Sequence, residues 1–295
     1  MAAARLVAID DAVIRRAAED WSSQPLAAET WDTEGHFADG GPLTAQYLLV
    51  VDALNFCFWP DPNWQYARLA ESLRDALILD PAAFDAGRLA ALTPSELCRW
   101  LGGLELPQME ERVRLLREVG TALDLHFGGQ AAQLIAAAGE SAGGLVALLA
   151  AHLPGFRDHA IHAGRQVFFY KRAQIFAGDV WGAFGGRGLG KFNDITALTM
   201  FADYRVPQLL RELGIIRYVP DLAARIDARV EIPAGSAEEV EIRAATVQAV
   251  ERLRGQLGAE GRNLAAIQVD WILWHQAEAM RDRMAPHHCT LTIYY

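Results

Sequence analysis

Cysteine is scarce in this chain: Cys57, Cys98 and Cys289 are the only three, widely spaced and without a Cys-x-x-Cys pair. An odd, scattered set cannot build a disulfide framework, so buried free thiols in a reducing cytoplasm are expected. Positive charge is short as well. Lys and Arg number 27 against 37 Asp and Glu, a formal net charge of −10, which leaves no global field to attract a polyanion and argues against long nucleic acid as a partner. No apolar run approaches the roughly twenty residues of a membrane span. The opening MAAARLVAIDDAVIRRAAEDW carries charges where a signal peptide would have an apolar centre. A soluble, cytoplasmic protein without a membrane partner is the expectation.

Several catalytic signatures are missing too. There is no Gly-x-Ser-x-Gly elbow and no Cys–His signature, so acyl transfer has no support. Gly185-x-x-x-x-Gly190-Lys191 matches a phosphate-binding loop until its last position, where Phe192 replaces the Ser or Thr that would hold magnesium. The segment before it reads as a helix rather than a strand, and no βαβ unit surrounds these glycines for a dinucleotide. Pro286-His287-His288-Cys289 offers metal ligands, yet adjacent histidines in an extended arm point to opposite faces and no second cluster completes a site. No metal and no cofactor is expected.

What the sequence does have is an abundance of helical pattern. With 52% hydrophobic residues in 295, it can bury a sizeable core, and the pattern predicts an all-α fold with a short extended C-terminal arm. One helical domain, 1–295, is expected, with an N-terminal helix and loop over 1–65, a helical scaffold over 66–155 and the chemistry in 156–295. Asp10 and Asp11 cap a helix that the Ser22-Ser23-Gln24-Pro25 break ends. TWDTEGHFADGGPLTAQ reads as a polar loop and YLLVVDALNFCFW as a buried, more helical than extended run. Helices follow from Tyr66, from Asp85, from Thr93-Pro94-Ser95-Glu96 with capping-box spacing, and through QMEERVRLLREVG. In that last one Met109, Val113, Leu116, Gly120 and Leu123 form the inward stripe and Glu/Arg pairs a solvated face. QAAQLIAAA, SAGGLVALLAAHL, DLAARIDARV, GSAEEVEIRAATVQAVERLRGQL and NLAAIQVDWILWHQAEAMRDRM complete the set.

Against that background a few polar residues stand out. Between Phe168 and Leu210, Lys171 and Gln174 share a helix stripe with Ile175 and Gly178. Asp203 is set among Leu198, Met200, Phe201, Val206 and Leu209, so it is paired, neutralised or used in chemistry. A structural ion pair with Lys or Arg would explain it as well as catalysis would. Asp270 lies mid-helix with Ile267, Trp271 and Trp274 at helical spacing. Asp52 and Asn55, three apart, read rather as a hydrogen-bonded pair near a helix end. Two carboxylates in an apolar, aromatic surrounding can cleave a glycosidic bond, one stabilising the oxocarbenium-like centre while the other positions water or manages the proton. Aromatic side chains can hold a flat base.

FFYKRAQIFAGDVW, LTMFADYRVPQLL, EVEIRAATVQAVE, VDWILWHQAE and TLTIYY, occurring in this order, resemble the queuosine salvage family, with VVDALNFCFW and PQMEERVRLLREVG as further matches. The likeness runs from about Tyr47 to Tyr295. It implies an all-helical fold related to DNA glycosylases and hydrolysis of queuosine 5′-monophosphate to release the base queuine. It also implies that Asp203 sits at the anomeric carbon or base, that Asp270 is a second acid on base or ribose, and that Lys171 faces the ribose phosphate. His36, in the loop before VVDALNF, becomes the candidate contact to the deazaguanine edge. Phe201 and Trp274 become candidate base contacts, and Tyr204 and Arg205 candidate groups near the phosphate, Arg205 having a salt bridge that fixes Asp203 as its alternative. A monomer acting on a small nucleotide is expected. The competing reading is a non-catalytic helical module that binds modified nucleotides or tRNA, which the net charge of −10 disfavours.

Overall fold

A computed structural model describes residues 4–23, 31 and 34–295. Among the described residues thirteen helices predominate and the only sheets are two-stranded, so the fold is all-α as the pattern predicts. No helix among the described residues is long and apolar enough to cross a membrane. Two compact units form: one from the N-terminal segment, His159–Phe169 and Leu198–Thr292, the other from Trp31–Asp158, Tyr170–Ala197 and Ile293–Tyr295.

The first unit is built on helices α1 (Asp11–Ser22), α10 (Arg205–Glu212), α11 (Pro220–Asp227), α12 (Ala237–Ala259) and α13 (Ala266–Met280). Asp10 Oδ1 accepts the Ala12 and Val13 amides at 3.0 and 3.1 Å and so starts α1 as expected, while the Gln24-Pro25 break falls outside the described residues. Ser236 Oγ accepts the Glu239 amide at the start of α12, and Glu239 returns a carboxylate to the Gly235 amide. Val206, Leu209, Leu210, Val250, Leu253, Val269 and Leu273 interlock in its core. Helical periodicity hid two strand pairs. β1 (Val7–Ile9) lies antiparallel to β4 (Ile216–Tyr218), and β2 (His159–His162) turns at Ala163-Gly164 into β3 (Arg165–Phe168). Strands of three or four residues are too short to establish a period of two. Both turn residues have positive φ, 48° and 73°, as a two-residue hairpin requires.

The second unit holds α2 (Pro42–Leu54), α3 (Tyr66–Leu79), α4 (Ala86–Ala90), α5 (Pro94–Trp100), α6 (Met109–His126), α7 (Ala131–Ala137), α8 (Ala142–His152) and α9 (Lys171–Ala183). Here the loop expected over 30–46 needs correction. α2 begins inside it, with Pro42 in its first turn and Asp39 Oδ1 accepting from the Gly41 amide and the Thr44 hydroxyl. On its buried face Gln46 is satisfied by distant chain, donating to the Phe84 carbonyl and accepting the Ala131 amide. Arg112 is a second correction. It belongs to the solvated Glu/Arg face by spacing, yet it is fully buried and donates to the carbonyls of Leu54, Phe56 and Cys57. Cys57 and Cys289 are buried free thiols, whereas Cys98 is half-buried. The chain end is docked, with Tyr295 buried and its carbonyl accepting the Cys57 amide.

Candidate active site

In the first unit the two aspartates singled out by sequence are anchored to one short segment. Met200, Phe201 and Ala202 are buried and precede α10 without belonging to it. Asp203 follows them, and its Oδ1 accepts the Arg205 and Val206 amides, both at 3.0 Å. This is a helix cap, so the backbone at the positive end of α10 fixes the carboxyl group's orientation. Asp270, on the second turn of α13, accepts the Phe201 amide on Oδ1 at 3.1 Å. Arg243 of α12 donates to the Ala202 carbonyl at 2.9 Å, pairs with Glu239 at 3.3 Å and lies 4.0 Å over the Phe169 ring. The segment is therefore gripped at consecutive residues from two helices and by its own cap. Asp203 is 9% exposed and Asp270 4%, dry surroundings where a charge acts at short range with little screening.

The neighbours of Asp203 divide differently from the sequence-based expectation. Arg205 directs its guanidinium at Glu278 of α13, 2.5 Å away, and at Gln208, 2.7 Å away. What it gives Asp203 is its backbone amide. The Tyr204 ring stacks on His287 at 4.4 Å between centroids. That histidine donates from Nδ1 to the His288 carbonyl at 2.8 Å, and burial pushes its pKa down to about 4. His288 is buried and pushed to about 3 for the same reason. Neutral, inward-packed imidazoles make the Pro-His-His-Cys run part of the packing, and among the described residues no group of three potential metal ligands occurs. Trp274 is partly buried against the core of this unit, one turn beyond Asp270.

In the second unit a separate polar group surrounds the start of α9. Lys171 is 4% exposed, donates from Nζ to the Asn55 carbonyl at 3.0 Å and gives its amide to Asp158. Next to it Arg172 donates to the carbonyls of Ala53 and Gly155, its pKa lowered by burial to about 10. With Arg112, three buried cations thus converge on the C-terminal end of α2, where unpaired carbonyls and the helix dipole supply negative potential. Two carboxylates lie within electrostatic reach of Lys171. Asp52 is fully buried and neither of its oxygens has a hydrogen-bond partner among the described residues; burial and neighbouring Asp179 hold its carboxyl well above the usual range. Asp179 accepts the Trp31 indole N–H, and burial raises it to about 7 against the pull of Lys171. Asp52 and Asn55 meet through the backbone at the end of α2, the Asn55 amide donating to the Asp52 carbonyl at 3.4 Å, while the Asn55 carbonyl serves Lys171 and the Asp52 carboxylate takes no part in the pairing. His36 is buried, with Nε2 2.7 Å from the Tyr66 hydroxyl and its ring 4.6 Å from that of Trp31.

Sequence reasoning overlooked Asp179. Its signal was the same as that of Asp270, an acid inside an apolar helical run, FAGDVW, on the stretch already singled out. Lys191 of the glycine-rich turn pairs with Glu140 at 2.8 Å, and helix α9 precedes it where a phosphate-binding loop would follow a strand. An open groove lined by His126, Phe127, Gln130 and Gln133 contains no carboxylate, so it offers nothing to stabilise a sugar cation.

The Queuosine salvage protein family model matches residues 35–295. A Dictyostelium discoideum protein named queuosine 5′-phosphate N-glycosylase/hydrolase is 54% identical over 253 residues, which span 86% of this chain and 78% of that one. A Sphaerobacter thermophilus protein of the same name is 45% identical over 303 residues, 99% of this chain and 94% of its own. In Mus musculus a protein so named is 33% identical over 322 residues, covering 99% and 95%.

Proposed function

The chain belongs to the queuosine salvage protein family, and from that premise we propose that it hydrolyses the N-glycosidic bond of queuosine 5′-phosphate and releases queuine. The observation that supports this reading best is the anchoring of two desolvated carboxylates, Asp203 and Asp270, on the single segment 201–203. Cleavage of the C1′–N9 bond sends the bonding electrons to the base and leaves positive charge on the ribose ring. A carboxylate fixed in advance stabilises that charge without having to reorganise, and in a dry surrounding it does so strongly. Asp203 has this role. Its Oδ1 is oriented by two amides, so the group is presented in one direction. Asp270 manages the proton of the attacking water or of the departing base. Water adds its oxygen to C1′ and one proton goes to the base, so the products are queuine and ribose 5-phosphate.

Phe201 and Trp274 contact the base, His36 binds the deazaguanine edge, and Tyr204 and Arg205 support the phosphate side through Asp203 and Glu278. Lys171 binds the 5′-phosphate, and its seat on the Asn55 carbonyl keeps the ammonium group in place until substrate arrives. The protein works as a monomer in the cytoplasm on a small nucleotide, as one helical domain whose 156–295 portion carries the carboxylates. Incubating the purified full chain with queuosine 5′-phosphate and chromatographing the products tests the proposal directly. Free queuine must accumulate in proportion to enzyme and time; intact nucleotide at the end of the incubation would overturn it.

A further inference from the structure

Helix α9 has a feature that the hydrolysis itself does not explain. Asp179 and Gly182 are one turn apart and share a face. A Cβ on Gly182 would lie 2.5 Å from Trp31 Cβ and 2.7 Å from its Cγ, so only glycine lets that residue pack onto the helix. One turn back the Asp179 carboxylate takes the indole N–H. Trp31 is thereby held twice, by the space left at Gly182 and by the acceptor at Asp179, and is 9% exposed. Its ring lies against His36 at 4.6 Å with a 36° tilt. His36 is completed by the Tyr66 hydroxyl on Nε2 and the edge of Tyr47, 6.2 Å away. We propose that Asp179 is a positioning residue for catalysis, fixing the Trp31 indole on Gly182 and through it the plane of the His36 imidazole that binds the base.

This rests on the reading of His36 as the base contact given above. The groups facing Asp179 are Lys171 on its own helix, Asp52 and the Tyr47 hydroxyl on α2, and the Trp31 indole. Of these, Tyr47 is held far above neutrality by burial and donates to the Ala70 carbonyl, so it does not titrate near pH 7. Burial and neighbouring Asp179 hold the Asp52 carboxyl well above the usual carboxylate range. Asp179, raised by burial to about 7, changes charge around neutral pH. Hydrogen bonds to an ionised acceptor are roughly twice as strong as neutral ones. Protonation therefore loosens the indole and with it His36, while Asp203 and Asp270, held by other elements, are unaffected.

Steady-state release of queuine from queuosine 5′-phosphate by the full chain, followed across neutral pH, tests this. In the wild type KM rises as pH falls through about 7 while kcat does not follow. Asp179→Asn, which keeps an oxygen acceptor but no charge, should raise KM roughly tenfold, the equivalent of about 1.4 kcal/mol. Its KM should then be flat across that window, with kcat within about twofold of wild type. Trp31→Phe keeps the stacked ring and removes the donor, so it should match Asp179→Asn. The double variant should be no worse than either single one, as expected of residues acting through one contact. Gly182→Ala, which leaves every titrating group in place, should raise KM by displacing the indole and provides an arm independent of charge. A fall in kcat at unchanged KM, a KM that keeps its pH dependence in Asp179→Asn, or additive effects in the double variant would each overturn the assignment. Failure of the wild type to release queuine would instead overturn the hydrolase reading, so the two failures are told apart.

Discussion

At the scale of single residues, Asp203 does two things at once and substitutions can separate them. Asp203→Ala removes both the charge and the α10 cap, and should lower queuine release about a hundredfold or more if the charge is the main electrostatic stabiliser. Its stability should fall by about 1 kcal/mol from loss of the cap. Asp203→Asn keeps an oxygen for the Arg205 and Val206 amides. It should lose activity to the same extent with thermal stability close to wild type, and turnover near the wild-type rate in that variant would remove the carboxylate from the mechanism. Lys171→Ala should raise KM for the 5′-phosphate far more than KM for the unphosphorylated nucleoside. Equal effects on both substrates would restrict Lys171 to capping α2 through Asn55. Asp203, Asp270 and Lys171 were legible as oddities because each interrupts an apolar run. Asp179 interrupts one just as plainly, but its partner Trp31 is far away in sequence, and no local spacing pairs them.

At the scale of elements, glycine spacing reports where helices touch. Gly120 lies on the inward stripe of α6, and a Cβ there would be 2.4 Å from both the Ala86 carbonyl oxygen and the Ala90 amide nitrogen of α4. Gly120→Ala should therefore cost about 1–3 kcal/mol, seen as a drop of several degrees in Tm. Gly87 on α4 meets nothing closer than 3.9 Å, an Asp124 carboxylate oxygen, so Gly87→Ala should be neutral or slightly stabilising. Loss of the difference between the two variants would mean that α4 and α6 do not pack as described. Periodicity located these helices well because their apolar stripes are long. It failed at α2, whose buried face includes Thr44, Gln46 and Asp52, polar residues that mimic a loop until their partners are known. It failed also at Arg112, which reads as surface by spacing yet stands at the end of α2.

At the scale of the whole molecule, two sets of buried groups set opposite trends with pH. His287 and His288 fall from 6.5 to about 4 and about 3 on folding. As pH drops below 6.5 the unfolded chain takes up protons that the folded chain refuses, so their contribution is complete above 6.5 and is lost toward pH 4 and 3. Asp179 rises from 3.8 to about 7. Between those values the folded chain holds the extra proton, so this contribution is complete below the ordinary carboxylate value and lost as pH rises through about 7. The two trends oppose each other over much of the range from about pH 4 to 7. In thermal unfolding Asp179→Asn should remove the loss of stability with rising pH between 3.8 and about 7 and so steepen the net rise there, and His287→Gln should weaken the loss with falling pH below 6.5; if each variant leaves the profile unchanged, these groups do not carry the linkage.

The amino-acid sequence by itself determined the helical class and most helix positions, because apolar spacing and end caps are local and are written within a few residues of where they act. It also marked Asp203, Asp270 and Lys171, since a charge among apolar neighbours is visible along the chain. Only the tertiary structure decided what each charge meets: Asp270 at the Phe201 amide, Arg205 at Glu278, Lys171 at the Asn55 carbonyl, Asp179 at Trp31. Those partners lie from 69 to 148 positions apart on no common period, so their meeting depends on how helices pack and not on how any one of them forms.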